Sequence, residues 1–225
     1  RQPAFAWQLD EIARRHPVTL DEFLPALDRR PNGGTLVTID DGYESTLDVA
    51  APMLAKAGVP ALLFVPPGRL GGTSSWMPEM PDERLLAVDR LRELSGYGIE
   101  VGAHGYDHTD MAGMTPAELH RHTAEAATAL ADHTGIRPRA FAYPRGLHDP
   151  AARAAVRDAG FVVGFSVYDS RGGRWAVPRA DVNALDTRRS FRLKCSPWYP
   201  AAKQVLDRAP AVRRMLHRSI GTARR

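Results

Sequence analysis

Asp40 and Asp41 stand side by side at the end of an apolar run, and His104 and His108 follow about sixty residues later. One carboxylate and two imidazoles make a three-ligand set for a zinc-like ion, with a coordination position left for water. The remaining carboxylate is then a general base for that water, and the natural chemistry is metal-assisted hydrolysis. Adjacent aspartates conflict in a small site, because each negative charge pushes the other's pKa upward. A cation resolves this if one carboxylate binds it while the other stays beside the water. Gly42 lets the backbone turn sharply beneath them. The spacing of four puts both imidazoles on one side of a helical turn, within reach of one ion. Each pair alone has a plainer explanation. The aspartates fit a strand-end turn in which Asp41 caps the next helix, and the histidines fit loop residues bonded to Asp107 or Asp110. Their joint occurrence at two strand ends points to a metal site.

The elements that must position these groups alternate along the chain. Leu36-Val37-Thr38-Ile39 reads as a strand after the turn signal Asn32-Gly33-Gly34. Leu47, Ala50, Ala51 and Leu54 share a helical face, with Ser45 as the expected cap and Gly58 as the stop. Residues 61–65 are a continuous apolar run, as a buried parallel strand requires. A helix is expected over 85–94 and a short strand over 99–101. Thr115, Pro116 and Glu118 combine a capping box with proline at the first helical position, which predicts a helix to about His133, ending at Gly135. A strand follows at 140–142, then a helix from Asp149-Pro150 to Gly160, then a strand at 161–167.

Strand and helix in alternation imply a parallel sheet, doubly wound or closed as a barrel. The polar residues favour the barrel. Asp40-Asp41, His104 and His108, and Tyr143-Pro144-Arg145 all lie just past carboxyl ends of strands. In a parallel barrel those ends share one rim and build the active site. A doubly wound sheet offers that only at a switch point.

Bulk properties fit one large domain over residues 1–225. With 44% hydrophobic and 25% charged residues, wholesale disorder is excluded. No apolar run approaches the roughly 18 residues of a membrane span. Cys195 is the only cysteine, so neither an intrachain disulfide nor a thiolate zinc cluster can form. The net charge of +4 comes from abundant arginine beside scarce lysine and reads as a solvated surface, not a nucleic-acid site. The stretch 208–225 is different, carrying six arginines and no acid, and could meet an anionic surface or simply fray. The chain opens at Arg1, so the lack of a visible export signal says little. Nothing in the sequence sets an oligomeric state.

These motifs carry a family resemblance. Thr38 to Gly42 resembles the T-F-D-D-G motif of the polysaccharide deacetylase (NodB-homology, carbohydrate esterase 4) family, with Ile39 in place of phenylalanine. His104 to His108 resembles its H-x3-H motif, and Phe141-Ala142-Tyr143-Pro144-Arg145-Gly146 its third motif. Ala176-Val177-Pro178-Arg179 is similar to a later Pro-Arg element, and the whole resemblance spans about residues 18–185, leaving 186–225 as a basic extension. It implies a distorted (β/α) barrel that removes acetyl groups from N-acetylated sugars, in an extracytoplasmic or cell-envelope setting. A cytoplasmic one stays open. Carried over by residue, it makes Asp40 the base, Asp41, His104 and His108 the metal ligands, and Arg179 the residue that orients Asp40. The backbone N–H of Tyr143 would help stabilise the oxyanion. Zinc suits the Asp-His-His set, and cobalt, nickel and manganese accept the same donors.

Some features depart from the pattern. The family's arginine early in the third motif is missing, and Arg145 comes after it. The terminal L-x-H motif has no clear match, since His148 and His217 are the only later histidines. Tyr143, Pro144, Arg145 and Trp175 are the expected substrate contacts. Trp175 has the best claim to the acetyl pocket because it lies four residues before Arg179. Trp76, Trp198 and Tyr199 could likewise stack on a sugar ring, but read better as core or tail-packing residues. Residues 68–75 form a loop that shapes the substrate groove or merely connects. Two other functions are compatible: hydrolysis of another C–N bond in a small metabolite, and carbohydrate binding without catalysis.

Overall fold

Ala61-Leu62-Leu63-Phe64-Val65 has no polar side chain, so it can only be stable with both faces covered, and every one of its residues is buried. The computed structural model describes residues 2–28, 34–78, 80–167, 172–196 and 199. In it this run is β2 (Ala61–Val65), second in a sheet of six parallel strands. The others are β1 (Val37–Ile39), β3 (Ile99–Ala103), β4 (Ala140–Ala142), β5 (Val163–Ser166) and β6 (Val177–Pro178). Their spatial order is β1-β2-β3-β4-β5-β6, each strand parallel to the next. An order that never reverses has no switch point, which excludes the doubly wound alternative.

The sheet curls into a partial barrel. Among the described residues no ladder joins β6 to β1. Arg179, one residue beyond β6, instead reaches Thr38 on β1 and Asp40 just past it. The inner face is lined by Leu62, Phe64, Ala140, Ala142, Val163 and Phe165, and α2 (Leu20–Asp28) packs Leu20, Phe23, Leu24 and Leu27 against it. Asp21 of α2 pairs with Arg139, immediately before β4, so α2 sits at the amino ends of the strands and leaves the carboxyl ends open. The outer face carries Leu63, Val65, Ala103 and Phe141 into a layer with Leu54, Leu91, Leu130 and Val156. Each such buried aliphatic or aromatic side chain contributes about 1.5–3 kcal/mol, enough together to hold strained backbone at the rim.

The helices form where their start and stop signals lie. Thr115 and Glu118 make the reciprocal capping box that opens α4 (Pro116–His120), which runs through a π-helical turn at Arg121–Glu125 into α5 (Ala126–Thr134) and stops at left-handed Gly135. Asp149 caps α6 (Pro150–Asp158) through Ala152 N–H. The helix after β1 is a π-helical turn at Thr46–Ala50 followed by α3 (Ala51–Lys56), and Gly58 ends it at φ +65°. Ser45 is not its cap: it is already helical and makes no capping hydrogen bond. The helix expected over 85–94 is a 3₁₀ helix at Val88–Tyr97. It starts late because Leu85 and Leu86 N–H groups bond to Gly72 and Gly42 carbonyls.

Helices α1 (Gln2–Ala13), α2 and α7 (Arg188–Lys194) were not expected from the sequence. No helix among the described residues is long and apolar enough to cross a membrane. The basic stretch 208–225, His217, Trp198 and the turn residues Asn32 and Gly33 lie outside the described residues.

Candidate active site

In a strand, successive side chains point to opposite faces, so Asp40 and Asp41 could not share one mouth if β1 continued through them. It does not. β1 ends at Ile39, and Asp41 and Gly42 both adopt left-handed backbone, at φ +75° and +74°. For Gly42 this is free of steric cost. A Cβ there would also come within 3.3 Å of Val65 Cγ2. For Asp41 it costs on the order of 1–2 kcal/mol. Among the described residues only four non-glycines have positive φ, and three of them are Asp41, His108 and Arg145. Strain of this kind persists where surrounding contacts over-determine it, and here it falls on the three motifs.

His104 follows β3 directly, its N–H extending the ladder to Val65 O at 3.1 Å. Its side chain is buried, and Nδ1 lies 2.8 Å from the Ala142 carbonyl. A carbonyl only accepts, so Nδ1 carries the proton and the neutral ring presents an Nε2 lone pair to the site. That atom lies 3.5 Å from Asp41 Oδ1, and His108 Nε2 lies 3.2 Å from the same oxygen. Asp41 Oδ1 is buried yet accepts no well-formed hydrogen bond. The three donor atoms are within 4.8 Å of one another. Ligand atoms each about 2 Å from a tetrahedral zinc sit roughly 3.3 Å apart, so Asp41, His104 and His108 fit a divalent cation. Without a cation the same field draws a proton. Burial lowers the His104 pKa, but Asp40 and Asp41 raise it more, for a net upward shift.

Asp40 is held separately. Arg179 Nη1 and Nη2 donate to its two carboxylate oxygens at 2.7 and 2.8 Å, and Nη1 also donates to Thr38 Oγ1 at 3.0 Å. This planar fork fixes the carboxylate's orientation. The guanidinium carbon is 5.5 Å from the centre of the Phe64 ring, which rises from the inner face beneath it. Burial pushes the Asp40 carboxyl up, and the Arg179 and His104 charges pull it further down, leaving it ionised below the usual carboxylate range. Its side chain is 34% exposed, against 2% for His104 and 6% for His108, so solvent reaches Asp40 more readily than the two imidazoles.

Residues 28–164 match the family model for polysaccharide deacetylases, more than half of the chain. The chain belongs to the polysaccharide deacetylase family. Bacillus subtilis (strain 168) YxkH, itself only provisionally named a polysaccharide deacetylase, is 23% identical over 148 residues, covering 65% of this chain and 50% of that protein. The chain thus spans half the length of that relative. Among solved structures, Streptococcus pyogenes deacetylase PplD in complex with acetate superposes with a TM-score of 0.74 at 17% identity, covering 87% of each chain. IcaB from Ammonifex degensii gives 0.68 at 27% identity, covering 90% of this chain and 89% of that one.

Within this deacetylase fold the third motif behaves differently from expectation. The Tyr143 N–H is spent on the Phe165 carbonyl at 3.1 Å, extending the β4–β5 ladder, so it is not free for an oxyanion. The Tyr143 ring is fully buried in the outer layer, and its hydroxyl donates to Trp175 O at 2.8 Å. Trp175 packs partly buried against that same layer. Pro144 is buried and would sit 3.2 Å from a Cβ at Gly105, bracing the histidine loop. Arg145 is exposed and bridges the rim, donating to Asp110 Oδ1 at 2.8 Å. His148 turns toward α6, where Arg153 Nη1 donates to its Nδ1 at 3.0 Å.

An aromatic ring that stacks directly on the histidine pair is that of Trp76. Its ring stacks on His108 at 4.5 Å between centroids and 17° between planes. Residues 68–75 bring it there, and they are no free loop. Gly71 and Ser74 N–H groups bond to Leu86 and Glu83 carbonyls, and Gly68 N–H bonds to Tyr106 O at 2.7 Å inside the histidine motif. Trp76 carries no spacing relation to either motif, so only the folded loop reveals it. The buried His122 on the α4–α5 helix was missed for the same reason.

Proposed function

We propose that this chain is a metal-dependent carbohydrate N-deacetylase that hydrolyses the N-acetyl group of an N-acetylated sugar and releases acetate. The observation that carries the reading is the pairing of an orphaned Asp41 oxygen between two imidazole nitrogens with an adjacent, separately anchored Asp40. Carbohydrate binding alone needs no such base. A divalent ion held by Asp41, His104 and His108, with zinc the best match to the donor set, would supply Lewis acidity toward the acetyl carbonyl and acidify a water.

Asp40, ionised and aimed by Arg179, takes the proton of the attacking water. Its pKa is low for a base at neutral pH, so its task is to accept a proton from water already acidified in the site. The tetrahedral oxyanion formed on the acetyl carbon needs preorganised donors. With Tyr143 N–H engaged in the ladder, the N–H of left-handed Arg145 takes that role, at the same rim and with no backbone acceptor of its own among the described residues. Among the described residues no further histidine is placed beside Asp40 as a separate acid, so the protonated Asp40 carboxyl returns its proton to the leaving amine. Trp76 and the Arg145–Asp110 pair form the wall that the sugar meets.

The test is mass spectrometry across a panel of acetylated glycans, from chitin fragments to peptidoglycan and exopolysaccharide pieces, with Asp40→Asn as control. The reading expects loss of one acetyl mass per sugar with at least one substrate and none with the control. Turnover of cyclic amides or ureides, with no acetate from any sugar, would move the protein to another C–N hydrolase activity.

A further inference from the structure

The three-residue connection between the ligands is an unlikely shape for a free chain. Gly105 and His108 both hold left-handed backbone, at φ +68° and +69°. Something must impose that shape, and the buried His122 is placed to do it. Its Nδ1 accepts the Tyr106 N–H at 3.2 Å, and a Cβ at Gly105 would lie 3.1 Å from the same nitrogen. Because Nδ1 accepts, the ring proton sits on Nε2, which faces Asp107 Oδ1 at 3.7 Å. Asp107 Oδ1 in turn takes the Thr109 N–H and hydroxyl, tying the exit of the loop. One imidazole thus bonds Tyr106, faces Asp107 and fills the space beside Gly105, the three residues between the two ligands. It does so from a π-helical turn, a local distortion that often accompanies functional positions.

We infer that His122 is a positioning residue for the metal site: it holds the loop that sets His108 against His104 without touching the ion or the substrate. This rests on reading Asp41, His104 and His108 as the metal ligands. Groups that orient ligands from behind typically change metal affinity by about 10–100-fold when lost.

The experiment measures zinc affinity of the metal-stripped protein by competition with a chromophoric chelator, and the visible spectrum after cobalt substitution. His122→Leu fills the space but removes the acceptor, whereas His122→Asn keeps an acceptor near the Nδ1 position with less bulk. The expected result is a loss of about tenfold or more in zinc affinity and an altered cobalt spectrum for His122→Leu, with most of the affinity kept by His122→Asn. A merely structural histidine would lower the melting temperature in both variants and leave the affinity of the folded protein alone. If His122→Leu fails to fold, His122→Ala, which removes the acceptor without adding bulk, decides the matter by the same two readouts. Parental affinity in a folded variant that lacks the acceptor overturns the positioning role. A parent that binds no zinc at all instead overturns the ligand assignment beneath it.

Discussion

Asp40 and Asp41 are chemically identical and one position apart, yet their surroundings set them to opposite tasks. Asp41 faces two imidazoles, while Asp40 faces a guanidinium and solvent. Removing the charge of Asp40 therefore leaves the ligand set intact. Asp40→Asn should keep the parental metal content, measured by elemental analysis, while acetate release falls about a hundredfold or more. Arg179 holds the Asp40 carboxyl below its usual range, so Arg179→Met should raise that pKa. In the proposed role Asp40 acts in its ionised form, so activity is lost as pH falls through this pKa. The acid limb of the pH–rate profile should then lie at higher pH in the variant, with a lower plateau. An unmoved limb would mean that Arg179 acts elsewhere. That Asp40, Asp41, His104 and His108 come together was legible because type and spacing bring them to two strand ends. That the Tyr143 N–H meets the Phe165 carbonyl and that Trp175 packs on the outer layer was not, because a motif position does not say whether an N–H is already spent in a ladder or a ring is turned into the core.

At the level of elements, Gly102 in β3 shows how the barrel interior supports the site. A Cβ there would come 2.5 Å from the Phe64 ring and 2.9 Å from Ala140 O, with no flexible side-chain end on the backbone side to yield. Gly102→Ala should cost about 1–3 kcal/mol in denaturant unfolding, and by displacing Phe64 it should also lower activity through Arg179. Helix α1 is tethered to α7 by Glu11, which accepts from Arg192 Nη2 at 2.7 Å and from Arg15 Nη1 at 3.0 Å. These hydrogen bonds, Arg192 first and then Arg15, bring the Glu11 pKa from 4.5 down to about 2. A depressed folded-state pKa contributes stability above pH 4.5 that is lost as pH falls toward 2. Glu11→Gln should therefore melt a few degrees below the parent at neutral pH, with the gap narrowing in melts taken below pH 4.5. The strands were legible as apolar runs. Helix α2 was not, although Thr19 and Glu22 form a reciprocal cap, because Pro25 interrupts its pattern. In α1 the first turn has no acidic residue and the last no basic one, so the dipole signals that mark helix ends are missing.

For the whole molecule, the architecture followed from one inference: polar residues past several strand ends can meet only if those ends share a rim. The sequential strand order bears this out, and the Arg179 bridge from β6 to β1 shows how an incomplete barrel still closes at the end where chemistry would occur. The rim wall was not legible, since it depends on how residues 68–78 and 80–86 fold, with Trp76 stacked on His108. The most direct test of the central claim is acetate release from short N-acetylglucosamine oligomers by the protein before and after stripping with a chelator. The account predicts that the stripped protein is inactive and that added zinc restores the parental rate. Undiminished release from protein shown to be free of metal would contradict it.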